Sequence, residues 1–162
     1  MSAMRDAQKA ILTVARATWP GLSKFYEDLT AERLNWRTLM EQFEQSGGVS
    51  GVPRNYGVAV WFPATESDEW GIDGMMESRC DLFYIVSTLE VGGDYRSVAA
   101  VREELATAGE SMHDALKGLN EEMGILNVDI DASPANVANA FFLDRRIDLA
   151  CTMVSVKFLF GV

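Results

Sequence analysis

The sequence predicts an α+β domain. It is read as a mixed or antiparallel sheet of about four strands, with a long amphipathic helix on one face and helices at the N-terminus. Three observations predict it. Asp81 to Thr88 (DLFYIVST) is rich in β-branched and aromatic residues, which suit a pleated, half-buried surface. Val98, Val101, Leu105, Ala108, Met112, Leu116 and Leu119 recur at steps of three and four, drawing one apolar stripe along a helix. Ile147 to Phe160 (IDLACTMVSVKFLF) is extended again, and a terminus that lies inside a sheet is tied down rather than frayed.

The elements follow in order. Ala3 to Thr18 places Ala7, Ile11, Val14 and Ala15 on one side and Arg5, Asp6, Gln8 and Lys9 largely elsewhere, a surface helix stopped by Trp19-Pro20-Gly21. Leu22 to Leu29 is expected as a second, short helix. Thr30 is an N-cap candidate that lacks the acidic partner of a full capping box. Leu34, Trp36, Leu39, Met40 and Phe43 carry helical spacing to Gln45. Ser46 to Pro53 is the most glycine-rich stretch and reads as a loop or hairpin tip, since too little chain precedes it to fold alone. Tyr56 to Phe62 (YGVAVWF) is a strand ended by Pro63. Ala64 to Glu77 is acidic and reads as a loop carrying Trp70, Ile72, Met75 and Met76, large apolar residues that dock on the core or on a partner. Gly92-Gly93-Asp94 is a turn signal before the helix Ser97–Leu119. Asn127 to Asp131 is a short strand or an extended connection. Ser133-Pro134 reads as an N-cap with proline in the first turn, opening a short helix Ala135–Ala140.

The chain has 162 residues, which makes one domain over 1–162 the expectation. Within it, 1–45 form a helical part, and 46–55 and 63–78 form projecting loops. An apolar fraction of 48% with 23% charged residues is that of a folded protein, not a disordered one. The formal charge of −10 is spread along the chain; it repels phosphate at long range and disfavours sequence-specific nucleic-acid binding. No run approaches the ~18 apolar residues of a membrane-spanning helix, and the N-terminus has no hydrophobic region or cleavage site of a leader. Cys80 and Cys151 stand at strand positions among apolar neighbours. Two buried thiols are the plainer reading, and a cross-strand disulfide is the sharper one.

Residue chemistry offers no reaction centre. His113 is the single histidine, with no second imidazole for a metal site and no Cys-x-x-Cys or His-x-x-x-His spacing. No Gly-x-Ser-x-Gly nucleophile stretch occurs. Gly47-Gly48-Val49-Ser50-Gly51 lacks the lysine of a phosphate loop. Glu66, Asp68, Glu69 and Asp73 cluster without the ligand spacing of a calcium loop, so a solvated loop is favoured over a cation site or acid–base pair. Asp129 and Asp131 alternate with Val128 and Ile130, as on the wet face of an extended segment. Arg145-Arg146 precede the last strand, either as solvated residues or as a clamp for a neighbour's carboxylate. No catalytic residue, cofactor or metal is therefore expected. A rival reading is a small-ligand-binding or enzymatic domain with a pocket between helix and sheet, lined by Trp61, Phe62, Phe83 and Tyr84. A third reading is an adaptor that presents an acidic face to a basic partner.

Four stretches, YGVAVWF, CDLFYIVSTLEVGGDY, SVAAVREELATAGESMHDALKGL and LACTMVSVKFLFGV, taken in the order strand, acidic loop, strand, long helix, strand, resemble the small α+β neck and tail-completion proteins of tailed bacteriophages. The tail terminators are the nearest in pattern, over roughly Tyr56 to Val162. The resemblance implies a structural virion protein of the tail and neck, made in the host cytoplasm. It implies a homo-oligomeric ring, usually a hexamer, that caps the tail tube and joins it to the head connector. Its partners are then further copies of itself, the tail tube protein and the connector or stopper protein. DNA passes through such a ring without being read, and an acidic lumen keeps it from sticking. The family has no catalytic residues to carry over. On this reading the interface candidates are Trp70, Ile72, Met75, Met76, Val49, Arg145 and Arg146, with Trp70 the aromatic anchor. Another head–tail connector or tail component of the same particle remains open.

Overall fold

The computed structural model describes residues 3–35, 37–39, 55–66, 75–88, 96–123, 125–135 and 149–161; at 75, 120–123 and 125–135 it describes the backbone. The elements are α1 (Ala3–Thr18), β1 (Lys24–Thr30), β2 (Asn55–Trp61), β3 (Thr65–Glu66), β4 (Met75–Ser87), α2 (Val98–Met123), β5 (Ile125–Ala135) and β6 (Leu149–Gly161). The strands form one mixed sheet in the order β1-β2-β4-β6-β5, with β3 paired to β4. The fold is thus α+β as expected, with five strands in line rather than four. Among the described residues, β1–β2 is parallel and the other pairs are antiparallel.

Both helices lie on one face. Ala7, Ile11 and Ala15 of α1 and Ala108, Met112 and Leu116 of α2 close over Ala59, Trp61, Cys80, Leu82, Val154, Val156 and Phe158 of the sheet. Leu105 is 1% exposed and packs with Val86, Val101 and Ala150 in the same layer. Ser97 caps α2: its Oγ accepts from the Ala100 N–H at 3.1 Å, which satisfies one of the helix's unpaired first-turn donors. The opposite face of the sheet holds a second cluster, Tyr56, Val58, Val60, Ile85, Leu149 and Cys151, covered by Leu34 and Leu39 from the segment after β1. There Asn35, not Thr30, acts as the cap: its Oδ1 accepts from the Thr38 N–H at 3.2 Å, opening a helical turn at 37–39.

Four local expectations are corrected. Leu22–Leu29 does not form a helix; Lys24–Thr30 is strand β1. Its three-residue apolar spacing comes from a bulge: Tyr26 stands opposite Val58 and Leu29 opposite Val60, so three residues span what two span on the partner. Tyr26 and Leu29 therefore reach the same cluster from a strand. Secondly, 63–78 is not one projecting loop. Thr65 and Glu66 pair with Glu77 and Met76, so Met75 and Met76 are strand positions of β4. Thirdly, Ser133-Pro134 lie within β5 and open no helix at Ala135; 136–140 lie outside the described residues. Fourthly, the aromatic pocket is not formed: Trp61 and Tyr84 belong to the helix-covered face, Phe62 and Phe83 to the other. Cys80 is opposite Val156, while Cys151 is opposite Ile85. The two free, buried thiols sit on opposite faces and cannot bridge.

Candidate functional site

Among the described residues, two depressions are lined in part by polar side chains. The first is a groove of about 410 Å³ on the sheet face away from the helices, lined by Phe62, Pro63, Thr65, Glu77, Ser78, Arg79, Ser155 and Lys157. Strand alternation builds it. Glu77, Arg79 and Asp81 point to one face of β4 and Ser155 and Lys157 to the same face of β6, with Arg79 opposite Lys157 and Asp81 opposite Ser155. Two cations directly opposite one another repel, and each is neutralised: Arg79 by Asp81 two residues along β4, Lys157 by Glu77 on the cross-strand diagonal. Arg79 Nε is 3.2 Å from Asp81 Oδ1, and Lys157 Nζ is 3.3 Å from Glu77 Oε2. Ser155 Oγ donates to Asp81 Oδ1 at 2.6 Å. Asp81 is buried at 7% exposure, and donors from two strands satisfy it. The Arg79 guanidinium lies over the Phe62 ring at 3.8 Å, which leaves its plane on the rim of the groove. Opposite Ser155 and Met153, the register places Asp129 and Asp131 of β5.

The second is a cleft of about 440 Å³ between the turn after α1 and the first half of α2, with Trp19, Leu22, Tyr84, Glu103, Glu104 and Thr107 among its walls. The Trp19 indole N–H donates to the Ala108 carbonyl at 3.1 Å, and its ring lies 5.2 Å from that of Tyr84. The Tyr84 hydroxyl donates to Glu104 Oε1 at 3.1 Å and accepts from Asn55 Nδ2 at 3.0 Å. Arg96 pairs with the other oxygen of Glu104 and donates to the Ser87 carbonyl at 3.2 Å. Burial first, then the charge and hydrogen bond of Glu104, push the Tyr84 phenol up to about 12. This network ties β2, β4 and α2 together at one end of the sheet.

Of the predicted interface residues, Met76 is half-buried in β4 opposite Phe160, and Met75 begins that strand opposite Gly161. Val49, Trp70, Ile72, Arg145 and Arg146 lie outside the described residues, as do the loop Ser46–Pro53 and the carboxylates Asp68, Glu69 and Asp73. Glu66 is exposed in β3. His113 is half-buried, with Nδ1 3.8 Å from Asp114. Among the described residues no three metal-binding side chains converge, and no helix is long and apolar enough to cross a membrane. The groove residues Glu77, Arg79 and Lys157 were not singled out by the sequence reading. Their signal is period-two alternation, Glu77-x-Arg79-x-Asp81 and Ser155-x-Lys157, visible once β4 is begun at Met75 instead of Asp81. No protein-family model matches the chain, and no curated protein matches it either.

Proposed function

We propose that the protein is a structural component of a tailed-phage neck, a tail terminator whose ring caps the tail tube and joins it to the head connector. The observation that carries the reading is the shape of the sheet. β4 and β6 pair through thirteen residues each, from Met75↔Gly161 to Ser87↔Leu149, a span of about 43 Å. β2 covers seven of them, and β3 pairs with two more, Met76 and Glu77. The overhanging end bears the charged groove and Met76, the kind of mixed polar and apolar surface that mates between subunits. The order of helix, strands, long helix and closing strands, with both helices on one face, also suits the family resemblance. Partners on this reading are further copies of the chain, probed as a hexamer first, the tail tube protein and the connector or stopper. A small-ligand-binding domain is the second reading, favoured by the size of the cleft beside Tyr84, which falls in the range of ligand pockets. The deciding measurement is the copy number and position of the chain in purified particles. The neck reading expects a ring at the head–tail junction. Absence from mature virions, or a single copy elsewhere, ends it.

A further inference from the structure

The cleft beside Tyr84 runs along one face of α2. Ala100, Glu103, Glu104, Thr107, Ala108 and Ser111 line it, at steps of three and four that stack them over successive turns, along about 16 Å of helix. The turn after α1 forms the facing wall with Pro20 and Leu22. Trp19, 5% exposed, and Tyr84 form its buried side. The trough is therefore apolar on the side of the turn and polar along α2, where Glu103, Thr107 and Ser111 are exposed.

Its charge is one-sided. Two carboxylates line it, and among the described residues no lysine, arginine or histidine does. Glu104 is engaged: Arg96 holds one oxygen and the Tyr84 hydroxyl donates to the other. Glu103 is not; among the described residues no hydrogen bond or ion pair takes up its carboxylate. Arg102 precedes it in sequence, but adjacent helix positions point about 100° apart, and Arg102 does not line the cleft. An exposed glutamate is ordinarily just solvated. This one stands at the edge of an apolar cleft of about 440 Å³, in a chain whose net charge of −10 adds to the pull on a cation.

We infer that this cleft binds a small organic ammonium ion. Its apolar body lies in the trough against Leu22 and Tyr84, and its protonated amine, with three donors and no acceptor, reaches Glu103 and the Thr107 and Ser111 hydroxyls. A carboxylate of the same shape meets two acids and no base, and a neutral alcohol forgoes the charge contact. The inference rests on the ligand-binding reading and deepens it by naming the ligand's chemistry. The charge contact is exposed, so it sets preference more than strength.

Nuclear magnetic resonance titration of the full chain at neutral pH tests it, with 2-phenylethylammonium, 2-phenylethanol and 3-phenylpropionate as probes. The reporter is the Trp19 indole N–H, assigned by its proximity to Ala108. The Trp61 indole N–H, bonded to the Glu27 carbonyl outside the cleft, is the internal control. The ammonium is expected to shift Trp19 saturably and leave Trp61 still, and to bind about fivefold more tightly than the alcohol; the carboxylate is expected to bind weakest. Glu103→Gln, at an exposed helix position, is expected to bring ammonium and alcohol level. Thr107→Phe, which fills the trough, is expected to abolish both shifts. An alcohol or carboxylate that binds as tightly as the ammonium overturns the inference and leaves the cleft as a ligand site. So does a preference that survives Glu103→Gln. No saturable Trp19 shift from any probe up to ~20 mM, weak even for a fragment of this size, removes the ligand-binding reading together with the inference.

Discussion

Gly57 marks a place where a side chain has no room. A Cβ built there lies 2.6 Å from Leu22 Cδ1 and 2.8 Å from Phe25 Cδ2, and β2 is paired on both edges, to β1 and to β4. The strand cannot move aside, so Leu22 and Phe25 must. Gly57→Ala is therefore expected to destabilise by about 1–3 kcal/mol, read as a lower urea midpoint with an unchanged slope. Tyr84 gives a second residue-scale prediction. Its phenol is raised from the ordinary 10.0 to about 12 in the folded chain. The unfolded chain then loses the proton first as pH rises, so fewer protons are bound unfolded than folded and stability falls. The contribution is fully present below pH 10 and lost towards pH 12. Urea titrations across that window are expected to show a steeper fall for the parent than for Tyr84→Phe, which has no proton to lose. An equal fall in both would place the loss on other groups.

At the scale of elements, α2 is held by its stripe. Leu105 and Met112 are 1% and 0% exposed, and Leu105→Ala is expected to cost roughly 2–5 kcal/mol through lost burial and a cavity. Asp81 holds β4 to β6 from the opposite face through Ser155. Asp81→Asn keeps the shape but weakens the bonds from Arg79 and Ser155, with an expected loss of about 1–3 kcal/mol. α1, α2, β2, β4 and β6 were legible in the sequence because each buries a regular stripe against the sheet, so periodicity and burial coincide. β1 was not legible: the bulge between Tyr26 and Leu29 gives a strand the spacing of a helix. β3 and the first turn of β4 were hidden because pairing over 65–66 and 76–77 is a long-range choice, and the local composition there is acidic. Proline at 134 was read as a helix start, yet it sits in β5, whose second edge has no partner among the described residues. It also falls in the register break between Asp131 and Ala135, and proline is tolerated at sheet edges and bulges, where no regular ladder bond is lost. The groove residues escaped for the same reason that β4 was begun too late, whereas Met76 was found for its bulk and then placed by the fold in a strand.

For the whole molecule, the sheet divides the chain into unlike halves. One face is sealed by two helices; the other is apolar under Leu34 and Leu39 and charged at the overhang. A net charge of −10 makes copies repel at long range, so any ring must gain its cohesion from local contacts. In the neck reading, Trp70 supplies one such contact. It is the aromatic of the stretch between β3 and β4, which is anchored on both sides by the Thr65↔Glu77 and Glu66↔Met76 pairs. Those flanking pairs lie at the end of the sheet beyond β2, away from the Tyr84 network. Tryptophan is enriched among interface residues whose truncation costs more than ~2 kcal/mol. Trp70→Ala is accordingly expected to leave the thermal transition of the isolated chain within a few degrees of the parent. In complemented particles it is expected to lower the yield of tails joined to heads at least tenfold, counted by electron microscopy. A variant that folds and still joins heads to tails at the parental yield removes Trp70 as the anchor and leaves the overhang's Met76 and Arg79 as the next positions to truncate.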